Sequence, residues 1–295
     1  MLMLEHLAEL AEKHRSATAA RVHEFPLGGR AFAFNSKPAL MGVVNLSADS
    51  WYRESVCLTA DAAIQRGLVL AAQGADIIDL GAESSLAHAT RVDDAGQQSK
   101  LLPVQKGLRA ADVLVSVETY QPAVTRACLE AGANILNLTG IDRSDEMFRM
   151  VAAHDAAVII CFVEGANVRE VANFDLQGDP AAKMHDYFAR QIELATRNGV
   201  RKIFIDPGLG FYYRNLQDSA VRVRHQMRTF LNTFRLRTLG WPTCHALPHA
   251  FEFFGEEVRC AEPFFAVLAA LGKTDLFRTH EVPRIKAVLD TLRAY

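Results

Sequence analysis

The chain has 295 residues, 32 Lys and Arg against 34 Asp and Glu, a formal net charge of −2, and half of its residues are hydrophobic. That balance excludes a disordered chain, which combines low hydrophobicity with high net charge, and it offers no basic surface to nucleic acid. The longest apolar runs, 156–163 and 264–271, are eight residues each, well short of the roughly 18 that a membrane-crossing helix needs. The five cysteines (Cys57, Cys128, Cys161, Cys244 and Cys260) are far apart and never form a C-x-x-C pair. Neither a disulfide framework nor a cysteine zinc site is indicated. Residues 1–20 carry acids and no apolar signal core, so a cytoplasmic protein is expected.

In chain order, residues 1–15 read as a helix. Residues 22–35, with Pro26 and Gly28-Gly29 at the centre, read as a hairpin plugging the bottom of a barrel. From residue 39 a rhythm begins. Short β-prone runs at 40–45, 76–80, 114–118, 135–138, 157–162, 202–206, 243–246 and 276–279 alternate with helical segments. The helical segments lie at 59–73, 93–109, 121–131, 145–154, 180–198, 217–238, 259–271 and 282–294. In the first of them Ala63, Ile64, Leu68 and Ala71 share one face, behind Thr59 and Asp61 at the start. Such alternation implies βαβ units and a parallel sheet. Eight repeats match a (β/α)8 TIM barrel of about 250 residues. A doubly wound sheet would carry a glycine-rich turn after its first strand, and the chain has Asn45-Leu46-Ser47-Ala48-Asp49 there. We therefore expect residues 1–38 to be an N-terminal helix and hairpin, and 39–295 the barrel, in a single domain.

The loops after barrel strands build the active site. The polar residues at those ends are Asn45, Asp79 with Glu83, Glu118, Asn137, Glu164, Asp206, His245, and Arg278 with His280. Two groups differ in chemistry. Asn45, Arg278 and His280 come from the first and last strands, neighbours in a closed barrel, and form a natural pocket for a phosphate or diphosphate with a metal. The alternative is that Arg278 pairs with Glu281 or Asp275 and His280 caps a helix. Glu118, Asn137 and Asp206 suit a flat heterocycle with donor edges, such as an aminopyrimidinone. Solvated mouth acids, or a carboxylate pair in general acid/base work, are the other readings. Asp206-Pro207-Gly208-Leu209-Gly210-Phe211 is the sharpest local motif, an acid running into a turn whose glycines permit close approach.

With these residues in view, the chain resembles dihydropteroate synthase, from about residue 40 to 292. Met41-Gly42-Val43-Val44-Asn45-Leu46-Ser47-Ala48-Asp49-Ser50-Trp51 is similar to that family's M-G-I-L-N-V-T-P-D-S-F. Gly74-Ala75-Asp76-Ile77-Ile78-Asp79-Leu80-Gly81-Ala82-Glu83-Ser84-Ser85 is similar to G-A-D-I-I-D-V-G-G-E-S-T. Ser116-Val117-Glu118-Thr119, Ala131-Gly132-Ala133-Asn134-Ile135-Leu136-Asn137, the Asp206 to Phe211 run and Arg278-Thr279-His280-Glu281-Val282 come in the family's order. The resemblance implies a TIM barrel that joins a pterin-CH2-diphosphate to p-aminobenzoate with loss of diphosphate, helped by Mg2+. It implies that Asn45, Arg278 and His280 hold the leaving group, with Asn45 near the metal. It also implies that Asn137 and Asp206 bond the pterin, with Asp49, Ser85, Glu118 and Phe211 among the substrate contacts. A homodimer through helices near the C-terminus is implied as well.

Departures from the family pattern are local. Glu118 stands for an Asp, Leu138 for the Asp after Asn137, and Leu86-Ala87-His88 for a loop that carries Arg. The family's S-R-K after the seventh strand is replaced by Cys244-His245-Ala246-Leu247-Pro248-His249, without a Lys. The leaving-group pocket is thus expected intact and the acceptor site rebuilt, lined by Tyr212, Tyr213, His245 and His249. Three functions stay open. One is a dihydropteroate synthase-like transferase whose acceptor need not be p-aminobenzoate. The second is a non-catalytic pterin- or phosphate-binding paralogue or partner subunit. The third is a pterin-binding methyltransferase-type barrel, which needs no diphosphate pocket. Ser84 or Ser85 with His88 lacks the G-x-S-x-G elbow of a serine nucleophile. The arginines of 222–237 read as a solvated helix face or a dimer contact.

Overall fold

A computed structural model describes the chain except for residues 51, 85–88, 172, 175–177, 211, 212, 214 and 217. Eight parallel strands form one sheet: β1 (Ala39–Asn45), β2 (Ile77–Gly81), β3 (Leu114–Thr119), β4 (Ile135–Leu138), β5 (Ala157–Cys161), β6 (Ile203–Asp206), β7 (Cys244–Ala246) and β8 (Leu276–Thr279). Their order is β6-β5-β4-β3-β2-β1-β8-β7. A single parallel bridge between Ile205 and Thr243 closes the ring from β6 to β7, with the Ile205 N–H donating to the Pro242 carbonyl at 3.1 Å. Helices α1 (Leu4–Lys13) and α2 (Arg15–Thr18) precede the barrel. The outer layer holds α3 (Ala60–Ala72), α4 (Asp94–Ala110), α5 (Pro122–Glu130), α6 (Ser144–Ala153), α7 (Pro180–Arg197), α8 (Ser219–Leu236), α10 (Ala261–Leu271) and α11 (Val282–Arg293), while the one-turn α9 (Phe251–Phe254) follows β7 at the mouth of the barrel. This is the expected (β/α)8 TIM barrel.

Local chemistry explains the boundaries. Thr59, Asp93, Asp179 and Asp218 each accept a hydrogen bond from a first-turn N–H of α3, α4, α7 and α8, which satisfies donors the helix itself leaves unpaired. Proline sits in the first turn of α5, α7 and α11, where its missing N–H costs nothing. Strand residues alternate between two apolar layers. Leu40, Val44, Ile78, Leu80, Val115, Val117, Val158 and Ile205 face the helices. Met41, Ile77, Leu114, Ile135, Ile159, Phe204 and Leu276 fill the barrel.

Residues 22–35 pack at the bottom of the barrel around a tight antiparallel turn at Gly28-Gly29, in which Leu27 and Arg30 exchange backbone hydrogen bonds of 3.0 and 2.9 Å. Gly28, with φ +53°, makes the turn so close to the barrel that an added Cβ would lie 2.5 Å from the Leu114 side chain. Phe25 and Phe34 meet Phe204 with ring centroids 5.2 and 5.3 Å apart. Large aromatic area therefore replaces strand pairing as the source of cohesion here.

The arginines of α8 and the turn after it divide: Arg224 and Arg228 are exposed, as expected of a solvated face, whereas three others are paired. Arg222 pairs with Glu252 at 2.6 Å and Arg235 with Asp179 at 2.5 Å. Arg237 is buried against buried Asp275, whose other oxygen accepts from the Thr243 N–H at 2.8 Å. Arg237 also donates to Asn35 at 3.1 Å, so one ion pair ties β7 and β8 to the plug. Burial pushes Asp275 up to about 6 despite this partner. Breaking a buried pair strands the remaining charge. Arg237→Met is expected to lose about 3 kcal/mol of stability, read as a lower urea midpoint.

Candidate active site

Strand parity decides which side chains enter the barrel. Asp79, Glu118, Asn137, Asp206 and Arg278 all lie on the inner face near the C-terminal ends of β2, β3, β4, β6 and β8. Register aligns Asn45 with Gly81, Gly81 with Glu118, and Glu118 with Asn137. Glycine at 81 leaves a gap: a Cβ there would lie 3.6 Å from Glu118 Oε2 and 3.7 Å from Asn45 Oδ1. Asn45, Glu118, Asn137, Asp206 and Arg278 border one open cavity of about 240 Å³, also lined by Tyr52, Glu83, Cys161, Leu209, His249 and His280, with Asp79 buried beneath it.

Its floor is a connected network. Arg278 Nε donates to Asp79 at 2.7 Å and an Nη2 hydrogen goes to Glu118 at 2.6 Å. Asn137 donates its amide to the same Asp79 oxygen at 3.2 Å and accepts from the Cys161 thiol at 3.6 Å. Both bonds fix the amide orientation. Asp206 accepts from the Gly208 N–H at 2.7 Å, a turn that requires Gly208 at φ +73°.

Two carboxylates, buried Asp79 and half-buried Glu118, thus bond one guanidinium, and buried Asp206 lies close enough to feel its charge. Burial, offset only in part by Arg278 and reinforced by the charges of Asp79 and Asp206, pushes Glu118 up to about 7. Burial pushes Asp206 up to about 6 against the Gly208 N–H and Arg278. One acid of the floor therefore keeps a proton close to neutrality.

At the rim, the groups expected as an anion pocket share the cavity but have separate partners. The Asn45 amide donates to Ser55 Oγ at 2.6 Å. His280 Nδ1 lies 2.8 Å from Glu262 Oε1. Arg278 leans into the floor, and its Nη1 makes no hydrogen bond among the described residues. Neither alternative partner from the sequence, Glu281 or Asp275, meets Arg278. Those acids bind Arg259 and Arg237 instead.

Other expected contacts are placed differently. Asp49 does not border the cavity: its carboxylate accepts from the Thr90 N–H at 3.0 Å and joins the first loop to the second. Of the three proposed acceptor residues that are described, His249 alone lines the cavity. His245 is fully buried on the outer face of β7, where its Nε2 shares a 2.7 Å hydrogen bond with Thr233 of α8. Burial drops its pKa to about 3. Tyr213 is buried too, its hydroxyl accepting from the Glu164 N–H at 3.2 Å and its ring against Phe174. Trp51, Ser85, His88, Phe211, Tyr212 and Arg214 lie outside the described residues.

Sequence reasoning missed Tyr52, Cys161 and Glu262. Tyr52 stacks on both His249 and His280, centroids 4.9 and 4.7 Å away, and its hydroxyl donates to Glu281. Glu262 did carry a signal. It is the lone acid on a buried helix face with Phe265, Ala266 and Ala269, at the three- and four-residue spacing of a core stripe.

Residues 41–244 match the family described as pterin binding enzyme. The chain is also 31% identical over 276 residues to the dihydropteroate synthase of Streptococcus pyogenes, an overlap of 88% of this chain and 98% of that one. The chain belongs to the dihydropteroate synthase family of pterin-binding enzymes. The dihydropteroate synthase of Synechocystis sp. is 27% identical over 270 residues, 87% of this chain and 90% of the relative. Among solved structures, the Xanthomonas albilineans dihydropteroate synthase with 4-aminobenzoic acid superposes with a TM-score of 0.76 at 28% identity, covering 92% of this chain and 97% of that one. The same enzyme in complex with 7,8-dihydropteroate gives 0.74 at 26% identity, covering 92% and 98%. Family membership makes this chain a transferase-type enzyme. No helix among the described residues is long and apolar enough to cross a membrane.

The proton on Glu118 has a measurable consequence. The unfolded value is near 4.5 and the folded value about 7. Between them the folded chain holds a proton that the unfolded chain has released, so stability is greatest below that window and declines as pH rises through it. Asp206 and Asp275 act in the same direction up to about 6. Urea unfolding at pH 6 and 7.5 is expected to differ by roughly 1–3 kcal/mol, and Glu118→Gln to reduce that difference, mainly above pH 6.

Proposed function

We propose that this chain transfers the pterin-methylene group of a pterin-CH2-diphosphate to a nucleophile, releasing diphosphate, and that the nucleophile is not restricted to p-aminobenzoate. The observation that carries the reading is one cavity with an acceptor-rich floor and three potential anion-binding groups. Glu118, Asn137 and Asp206 present acceptors to the donor edges of a flat heterocycle. Arg278, Asn45 and His280 stand where strands β8 and β1 meet, to receive the charge that develops on a departing diphosphate. Arg278 serves both halves. Its Nε and Nη2 are taken by Asp79 and Glu118, and its Nη1 is available to the leaving group.

Mg2+ fits this rim through Asn45. The amide nitrogen is engaged by Ser55, which leaves Oδ1 as the donor toward the gap at Gly81, and Mg2+ typically takes few protein oxygens with the rest from phosphate and water. Bound there it would neutralise charge on the leaving group. His249 and Tyr52 border the remaining side of the cavity, where we place the acceptor. We place a homodimer contact at the exposed Phe264 and Leu271 of α10.

Two specific alternatives fare less well. A methyltransferase-type barrel needs no anion group on its last strand. A non-catalytic binding paralogue does not account for the Arg278 network. Diphosphate release from the pterin substrate with Mg2+ tests the proposal. Release is expected in the native chain, at least 100-fold slower in Arg278→Ala, and supported by amines other than p-aminobenzoate. No release under any acceptor condition would leave a binding protein. Strict dependence on p-aminobenzoate would refute the altered acceptor.

A further inference from the structure

We propose that His249, Glu262 and His280 form a binding site for a divalent transition metal of the zinc class, open to the cavity and separate from the Mg2+ position at Asn45. One ligand atom from each of the three lies within 4.8 Å of the others. Glu262 Oε1 is 2.8 Å from His280 Nδ1 and 3.7 Å from His249 Nδ1. Nitrogen and oxygen ligands about 2.0–2.2 Å from a tetrahedral ion stand about 3.3–3.5 Å apart, so the two distances bracket what an ion between them would set.

Two further features mark a built site. His249 Nδ1 is buried without a hydrogen-bond partner among the described residues, although it faces the Glu262 carboxylate; 3.7 Å is too long for a bond. A buried ring nitrogen is costly to leave unsatisfied, and a metal would satisfy it. The second feature is the support behind the carboxylate. Glu262 Oε2 accepts from the Thr279 hydroxyl and from the backbone N–H groups of His280 and Glu281, the latter two at 3.1 and 3.2 Å. Those bonds hold Oε2 and leave Oε1 turned to the imidazoles, the outer support expected of a metal ligand. Tyr52 stacks on both rings and fixes their planes.

The donor set selects the ion. Two imidazoles and a carboxylate suit Zn2+ and its neighbours, whereas Mg2+ prefers oxygen in near-octahedral geometry. Three protein ligands, two of which line the cavity, leave a fourth position for water or a substrate atom. Binding at Nδ1 requires the neutral His280 tautomer that carries its hydrogen on Nε2, in place of the present contact between Nδ1 and Glu262. Cysteine spacing gave no hint of this site, because it carries no thiolate.

The proposal stands apart from the transferase reading, since binding is read with no substrate present. The full chain, freed of metal with a chelator, would be titrated with Zn2+ by calorimetry and with Co2+ by visible absorption. One ion per chain, with the strong bands of four-coordinate Co2+ and no displacement by excess Mg2+, is expected. His249→Ala and Glu262→Gln, each checked for native circular dichroism, should weaken binding at least tenfold, and Cys260→Ser should leave it unchanged. The His249 variant keeps the test decisive should the buried Glu262 variant fail to fold. Absence of stoichiometric binding, ready displacement by Mg2+, unchanged binding in His249→Ala, or loss in Cys260→Ser would each overturn the proposal.

Discussion

One guanidinium compensates the acids at the top of this barrel, and the cavity depends on it. Asp79 has no exposure at all, and an uncompensated carboxylate at that depth would neutralise itself or unfold its surroundings. Arg278 answers Asp79 and Glu118 together. Asn137 takes its orientation from that same Asp79 oxygen, and Cys161 takes its partner from Asn137. Arg278, Asp79, Glu118, Asn137 and Cys161 are therefore a single hydrogen-bonded unit. It remains acid-rich, which suits a heterocycle that presents N–H groups, and a proton on Glu118 rather than a second cation limits its charge.

The architecture was legible because both periodicities are strong. Strand runs and helical segments fall within a few residues of their predicted limits, since apolar alternation and caps such as Thr59 and Asp93 act locally. The floor residues were legible for a related reason: a polar side chain at the end of an otherwise apolar inner row has little other purpose. His245 was misjudged because position at a strand end is not enough. Register pairs His245 with Phe277 and Ala246 with Arg278. An inward Arg278 therefore obliges His245 to face outward into α8. Register is non-local, and no run of residues around His245 contains it.

The rim was harder to read. Tyr52 meets His249 and His280 from nearly 200 residues or more away in sequence, on a loop with no periodicity to fix its direction. Asp49 sits in a motif that suggests substrate contact, yet its carboxylate closes one loop onto another. Arg237 lies in a stretch whose composition suggests a wet surface, and only the turn at Gly240 brings it over buried Asp275. In each case a tertiary partner, not local propensity, determines the role.

The charge at the cavity also bears on what can react there. Among the described residues, its lining carries Glu83, Glu118, Asp206 and Glu252 against Arg222 and Arg278. Arg222 is paired with Glu252, and Arg278 with Asp79 and Glu118. After β7 the chain has Cys244-His245-Ala246 where the family pattern reads S-R-K, and burial holds the nearby His249 neutral down to about 4. Under the transferase proposal, a carboxylate-bearing amine on this side of the cavity would meet more acids than bases among the described lining residues, with no lysine ammonium in that lining, and like-charge approach in a partly buried site is more costly than in water. A neutral or cationic amine meets neither obstacle. Under the transferase proposal, this is the electrostatic argument for a nucleophile without a carboxylate.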